Sequence, residues 1–372
     1  MTAPPPRRLP RRLVVKLGSA LVTDGQGPRA DFLADLARDV AQLRNQGTEA
    51  IIVSSGAVAL GRGRLGLPRS PRLDHKQAAA ATGQPLLMQA WADAFAPLGL
   101  VTAQLLLTAY DTEDRRAFLN ARGTIAALLK AGAVPIINEN DSTATAELRV
   151  GDNDRLSARV AQLAAAELLV LLSDVDGLYT ADPRLDPAAT HLSEVTALTP
   201  VIMALAGDSD RSGPGTGGMR TKLEAARIAA AAGCATLIGS GAGERPLARL
   251  LDGEARGTHI AAEGNPVRAY KSWIAGTLAP LGTLRIDAGA ATALGKGGSL
   301  LPAGLLAVEG AFSRGDCVAV QDGEGRELAR GLSRYDAEEA ARLVGAKGAE
   351  IAALLGYSRG DALIHRDDLV LQ

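Results

Sequence analysis

The run Gly215-Thr216-Gly217-Gly218-Met219-Arg220-Thr221-Lys222 opens a long, alanine-rich helical pattern. Its glycines and threonines free a string of backbone N–H groups. The helix that follows adds its positive N-terminal end, and Lys222 falls in the first turn. Together these make a place to hold polyphosphate. A second lysine, Lys16, stands in Val14-Val15-Lys16-Leu17-Gly18-Ser19, where an apolar run that reads as a buried strand breaks into a small-residue turn. Two lysines on two phosphate-type loops supply one positive charge for each end of a transferring group. That is phosphoryl transfer without a P-loop.

Other polar clusters fall at similar breaks. Ser54-Ser55-Gly56-Ala57 follows an apolar run and precedes a helical one; taken alone it reads best as a helix cap, and otherwise as a hydroxyl cradle for a carboxylate or phosphate. Asn138-Glu139-Asn140-Asp141 is more polar than a turn requires, and Gly151-Asp152-Asn153-Asp154 follows shortly at the head of another helix. Crowding carboxylates and amides into neighbouring loops is repulsive unless lysines, a substrate ammonium or Mg²⁺ fill the space between them. Ser173-Asp174-Val175-Asp176-Gly177-Leu178-Tyr179 ends a further strand and could hold a nucleotide's ribose and base. Gly295-Lys296-Gly297-Gly298-Ser299 lacks the P-loop spacing and reads as a turn. The four histidines are scattered without ligand spacing, which argues against a zinc site or a histidine-based triad.

These clusters need a frame that gathers strand ends. Between residues 13 and 264, strand-like runs (13–17, 50–53, 101–107, 134–137, 167–172, 235–238) alternate with helical patterns (31–46, 76–95, 115–130, 154–166). Such alternation predicts a largely parallel sheet covered by helices on both faces, with ligands at the C-terminal strand ends. Lys16, Ser55, Asn138 and Ser173 all lie at or just past such ends. Residues 1–12 form a basic lead-in and 265–276 read as a linker. Residues 277–372 carry short apolar segments between glycines and aspartates, the pattern of a small, mostly β domain.

The 372 residues are enough for a large domain and a smaller one. A net charge of -1 gives no global field for nucleic acid or an anionic membrane. Only two cysteines occur, Cys234 and Cys317, which fits reduced thiols in the cytoplasm. No apolar stretch reaches membrane-spanning length.

Taken in order, the motifs above, with Gly177-Leu178-Tyr179-Thr180-Ala181-Asp182-Pro183, closely resemble the amino acid kinase family, and within it the glutamate 5-kinases. The tail, with Phe312-Ser313-Arg314-Gly315-Asp316 and Gly331-Leu332-Ser333-Arg334-Tyr335, resembles a PUA domain. The resemblance covers nearly the whole chain. It implies a three-layer α/β sandwich with a mainly parallel sheet, followed by a small β-rich PUA-like domain. The implied reaction carries the ATP γ-phosphoryl group, with Mg²⁺, to the side-chain carboxylate of L-glutamate, the first step of proline biosynthesis.

By the same resemblance, Lys16 and Lys222 meet the phosphates and Asp154 orients both lysines. Ser55, Asp141, Asp152 and Asn153 meet glutamate. Ser173, Asp174, Thr216, Gly217, Gly218, Met219, Arg220 and Thr221 join Lys16 and Lys222 at ATP, and no residue is assigned to metal. A dimer or tetramer and feedback inhibition by proline are implied as well. Ser19 and Ser173 stand where threonine is common in the family, and both keep a hydroxyl. PUA domains also occur in RNA-binding proteins, but residues 277–372 hold ten Lys and Arg against thirteen Asp and Glu, without the basic footprint that RNA requires.

Overall fold

The apolar run Leu13-Val14-Val15 and its neighbour Leu17 are fully buried, as a strand covered on both faces must be. They belong to the first strand of a computed structural model that describes residues 9–68, 72–143, 152–206, 218–277 and 279–372. The chain divides into two units, Met1–Glu113 with Asn120–Pro266, and Asp114–Leu119 with Val267–Gln372.

In chain order the elements run β1 (Arg12–Leu17), α1 (Ser19–Val22), α2 (Ala30–Asn45), β2 (Glu49–Ser54), α3 (Ala57–Leu65), α4 (Leu73–Phe95), β3 (Thr102–Leu107), α5 (Ala109–Glu113), α6 (Arg115–Lys130) and β4 (Val134–Glu139). They continue with α7 (Asp152–Leu163), β5 (Leu168–Ser173), β6 (Leu178–Tyr179), β7 (His191–Leu192), β8 (Glu194–Val195), α8 (Pro200–Ala204), α9 (Met219–Ala231), β9 (Ala235–Ser240), α10 (Pro246–Leu251), β10 (Gly257–Ile260) and α11 (Pro266–Thr277). One sheet has the order β3-β4-β2-β1-β5-β9-β10-β8. Its neighbours are parallel except β9 and β10. The expected parallel sheet is present.

One face of β1 (Leu13, Val15, Leu17) packs in a core with Leu33, Leu36 and Val40 of α2 and Leu87, Trp91 and Phe95 of α4. Helices α7 and α9 supply further buried side chains, among them Val160, Ala161, Leu223 and Ala226. Chain order doubles back around β1, which lies between β2 and β5. Ligands collect outside the strand ends at such a switch point.

Helices α3 and α4 meet without room for side chains. A Cβ on Gly61 would lie 1.8 Å from the carbonyl oxygen of Ala79, and one on Gly83 would lie 1.8 Å from that of Ala57. Glycine at both positions lets backbone touch backbone. The contact brings the segment after β2, where Gly56 has φ 122°, up against the middle of α4.

Of the stretch 265–276, read from sequence as a linker, residues 266–276 lie in helix α11. Pro266 opens it at a position where proline lacks nothing, and Tyr270 and Ile274 form a buried stripe. In the second unit, β11 (Gly282–Ile286), β12 (Leu305–Gly310), β13 (Cys317–Gln321), β14 (Glu327–Leu332) and β15 (Leu369–Leu371) form a sheet of order β12-β11-β13-β14-β15. Its core gathers Leu284, Val318, Val320, Tyr335 and Leu363. The apolar segment 362–364 makes one isolated bridge, Leu300 to Ile364. Gly297, with φ +81°, turns the chain just after a helix that ends at Gly295, as the turn reading required.

Candidate active site

Lys16 sits one residue before the end of β1 and is buried. An ammonium at such a place demands an anion, and Asp154 provides it from the first turn of α7: Lys16 Nζ lies 2.5 Å from Asp154 Oδ1. Lys222, in the first turn of α9, lies 3.5 Å from Asp154 Oδ2. Thr221 donates its hydroxyl to the same Oδ2 at 2.6 Å. One carboxylate with no solvent exposure thus holds lysines from a strand end and a helix start far apart in the chain, whose side chains are 8% and 4% exposed.

Burial pushes the Asp154 carboxyl towards its neutral form, but the charges of Lys16 and Lys222 and the bonds it accepts hold it below the usual carboxylate range. Burial lowers Lys222 below the usual ammonium range; Asp154 works against that shift and the charge of Lys16 adds to it. The triad carries two positive charges on one negative. It therefore presents a buried net cation at the strand ends, which suits a phosphoryl group gathering charge on its oxygens.

Beside it lies a cluster of uncharged polar groups. Asn153 Nδ2 donates to Ser55 Oγ at 2.7 Å and to Asn138 Oδ1 at 3.1 Å. Asn138 Nδ2 donates to Gln84 Oε1 at 2.9 Å. Ser55 is not a helix cap: Gly56 occupies the N-cap of α3, and no side chain closes that end. Ser54 instead accepts from the indole N–H of Trp91 at 3.1 Å. The stretch does cap α3, through Gly56, while the Ser55 hydroxyl accepts from Asn153. Asp141 follows β4 and pairs with Lys76 at 3.3 Å.

The remaining sequence-predicted positions are less complete. Ser173 is buried at the end of β5, and Asp174 beside it is exposed. Gly218 is the N-cap of α9 and Met219 its first residue, with Arg220 reaching towards Glu224 at 3.6 Å. Asp152 begins α7, and its side chain lies outside the described residues, as do Thr216 and Gly217. Sequence reasoning passed over Gln84 and Lys76, which lie within one long helix and carry no local motif. It placed Asn138 with Lys16, Ser55 and Ser173 at the strand ends but gave it no role of its own.

Residues 11–240 match the amino acid kinase family, and residues 282–355 match the PUA domain. The chain is 55% identical over 363 residues to glutamate 5-kinase 1 of Rhizobium meliloti (strain 1021), covering 97% of this chain and 92% of that protein. It is 56% identical over 365 residues to a glutamate 5-kinase of Caulobacter vibrioides (strain NA1000 / CB15N), covering 97% and 96%. It is 53% identical over 373 residues to one from Rhizobium etli (strain ATCC 51251 / DSM 11541 / JCM 21823 / NBRC 15573 / CFN 42), covering 100% and 95%. The chain belongs to the amino acid kinase family, in its glutamate 5-kinase group, and carries a PUA domain behind the kinase domain.

Proposed function

We propose that this chain transfers the γ-phosphoryl group of ATP to the side-chain carboxylate of L-glutamate, giving L-glutamyl 5-phosphate and ADP, the first step of proline biosynthesis. The observation that carries the reading is the Lys16–Asp154–Lys222 triad beside the Ser55–Asn153–Asn138 cluster. A carboxylate is a nucleophile at neutral pH without a general base. Its oxygen bonds to phosphorus as the bond to the leaving ADP oxygen breaks, and the electron pair departs with ADP. Catalysis then rests on alignment and on charge neutralisation.

Lys16 and Lys222 would meet the phosphates, with Asp154 fixing the position of both. Ser55, Asp141, Asp152 and Asn153 would receive glutamate. Ser173, Asp174 and the stretch 216–222 would receive ATP. Among the described residues, no three His, Cys, Asp or Glu side chains converge as a metal cage. Mg²⁺ would arrive with ATP and neutralise phosphate charge.

We assign residues 13–264 to catalysis and 277–372 to the PUA-like domain. No helix among the described residues is long and apolar enough to cross a membrane. A cytoplasmic homo-oligomer inhibited by proline, with no RNA partner for the PUA-like domain, completes the proposal. The deciding experiment measures ATP consumption with glutamate, aspartate, acetylglutamate and UMP side by side. Preference for any acceptor other than glutamate would overturn it.

A further inference from the structure

The amide orientations at the site can be deduced from one backbone group. The backbone N–H of Glu139 can only donate, and it lies 2.9 Å from one terminal atom of the Asn138 side chain. That atom must be the oxygen. The other arm of Asn138 is then the NH₂, and the Gln84 atom facing it at 2.9 Å must be an oxygen. On the other side, the Asn153 atom 3.1 Å from Asn138 Oδ1 must be nitrogen. That same nitrogen donates to Ser55 Oγ at 2.7 Å.

The chain of amides has a consequence at its end. Ser55 Oγ accepts from Asn153, so its own proton is left to donate. Asn153 has its NH₂ spent, and its Oδ1 is shielded from solvent with no hydrogen-bond partner. Buried acceptors are rarely left so, because an unmade hydrogen bond there is costly. A hydroxyl donor and a bare carbonyl acceptor side by side are complementary to the carboxylate and ammonium of an amino acid.

We propose that Gln84 is a positioning residue for the amino-acid substrate: together with the Glu139 N–H it holds the Asn138 amide, and through Asn138 it keeps the Asn153 carbonyl oxygen turned to accept from the substrate's α-ammonium. The inference rests on the proposed reading that glutamate is the acceptor. Gln84 is 8% exposed, and its Oε1 is the only arm the relay uses. Its effect is confined to the ammonium end of the substrate, away from the lysine triad that faces the phosphates.

The test uses the full chain and three steady-state constants: KM for L-glutamate, KM for ATP, and Ki for glutarate, which keeps both carboxylates and lacks the ammonium. Gln84→Met removes the acceptor for Asn138. It should raise KM for glutamate about 10-fold while KM for ATP and Ki for glutarate stay within about 2-fold, since one buried hydrogen-bonding arrangement is lost and only the ammonium reads it. Gln84→Glu keeps an acceptor facing Asn138 and should restore KM for glutamate to within about 3-fold of the unaltered chain. Gln84→Leu, which also cannot accept, replaces the methionine variant should that one fail to fold. Equal rises in all three constants, no rise for glutamate, or a glutamate-substituted variant as impaired as the methionine one would each overturn the relay. If the unaltered chain shows no glutamate-dependent ATP turnover, the underlying reading fails and takes this inference with it.

Discussion

Replacing Asp154 by asparagine removes one negative charge from between two buried ammonium groups and leaves the volume nearly unchanged. At an effective dielectric of about 20, charges 2.5 and 3.5 Å apart attract by roughly 7 and 5 kcal/mol before desolvation is counted. Desolvation cancels much of this, so the net cost of removing one partner from a buried ion cluster is about 3–5 kcal/mol. For a domain of this size that lowers Tm by about 6–20 °C. The deficit should depend on pH. Lys222 is already below its usual range because of burial, and loss of Asp154 removes the group that opposes that shift. In the folded variant Lys222 then sheds its proton at a lower pH than in the unfolded chain. The unfolded state binds more protons in that interval, and stability rises with pH. Thermal unfolding of Asp154→Asn and the unaltered chain at pH 7 and pH 9.5 should therefore show a gap that narrows at the higher pH. Turnover at pH 7 should fall on the order of 10²-fold or more, because the lysines lose their fixed separation. A variant within 2 °C of the unaltered chain at pH 7, or a gap of equal size at both pH values, would refute the electrostatic account of the triad.

Lys222→Ala should cut kcat on the order of 10²-fold or more with the fold intact by circular dichroism, since its charge acts mainly in the transition state; turnover within a few-fold would remove it from the reaction. Asn153→Ala should raise KM for glutamate well above any change in KM for ATP, whereas an equal rise in both would point to a disturbed helix start. Gly83→Ala places a Cβ 1.8 Å from the Ala57 carbonyl and should destabilise by about 3 kcal/mol or more, measured by urea unfolding, because backbone cannot yield as a side chain can. A fragment ending at residue 264 should keep glutamate-dependent ADP release, since every proposed site residue precedes that point; a folded but inactive fragment would show that the chemistry needs the rest of the chain.

The strands were legible because each apolar run in the sheet is short, β-rich and bounded by small polar turns. β1, β2 and β5 are buried on both faces, so their sequence reads as an unbroken apolar stretch interrupted only where Lys16 enters. Helix faces were legible from periodicity, as in Leu33, Leu36, Val40 and Leu43 of α2. The antiparallel β10 escaped because four residues carry too little pattern to separate strand from loop. Helix α11 escaped because Asn265-Pro266 marks a boundary equally well before a linker or before a helix.

At the site the division is similar. Residue type and the loops that bear them are local facts, so the two lysines, the amide-rich turns and the glycine run could be read in advance. Which side chains meet is set by strand order, and strand order arises from packing the whole sheet. With β1 between β2 and β5, one carboxylate at the head of α7 reaches a lysine 68 residues later in the chain, and its neighbour Asn153 reaches a serine 98 residues earlier. The part played by Gln84 was invisible for the same reason. In sequence it is one polar residue inside a 23-residue helix, and only the glycine contact between α3 and α4 and its distance to Asn138 give it a partner.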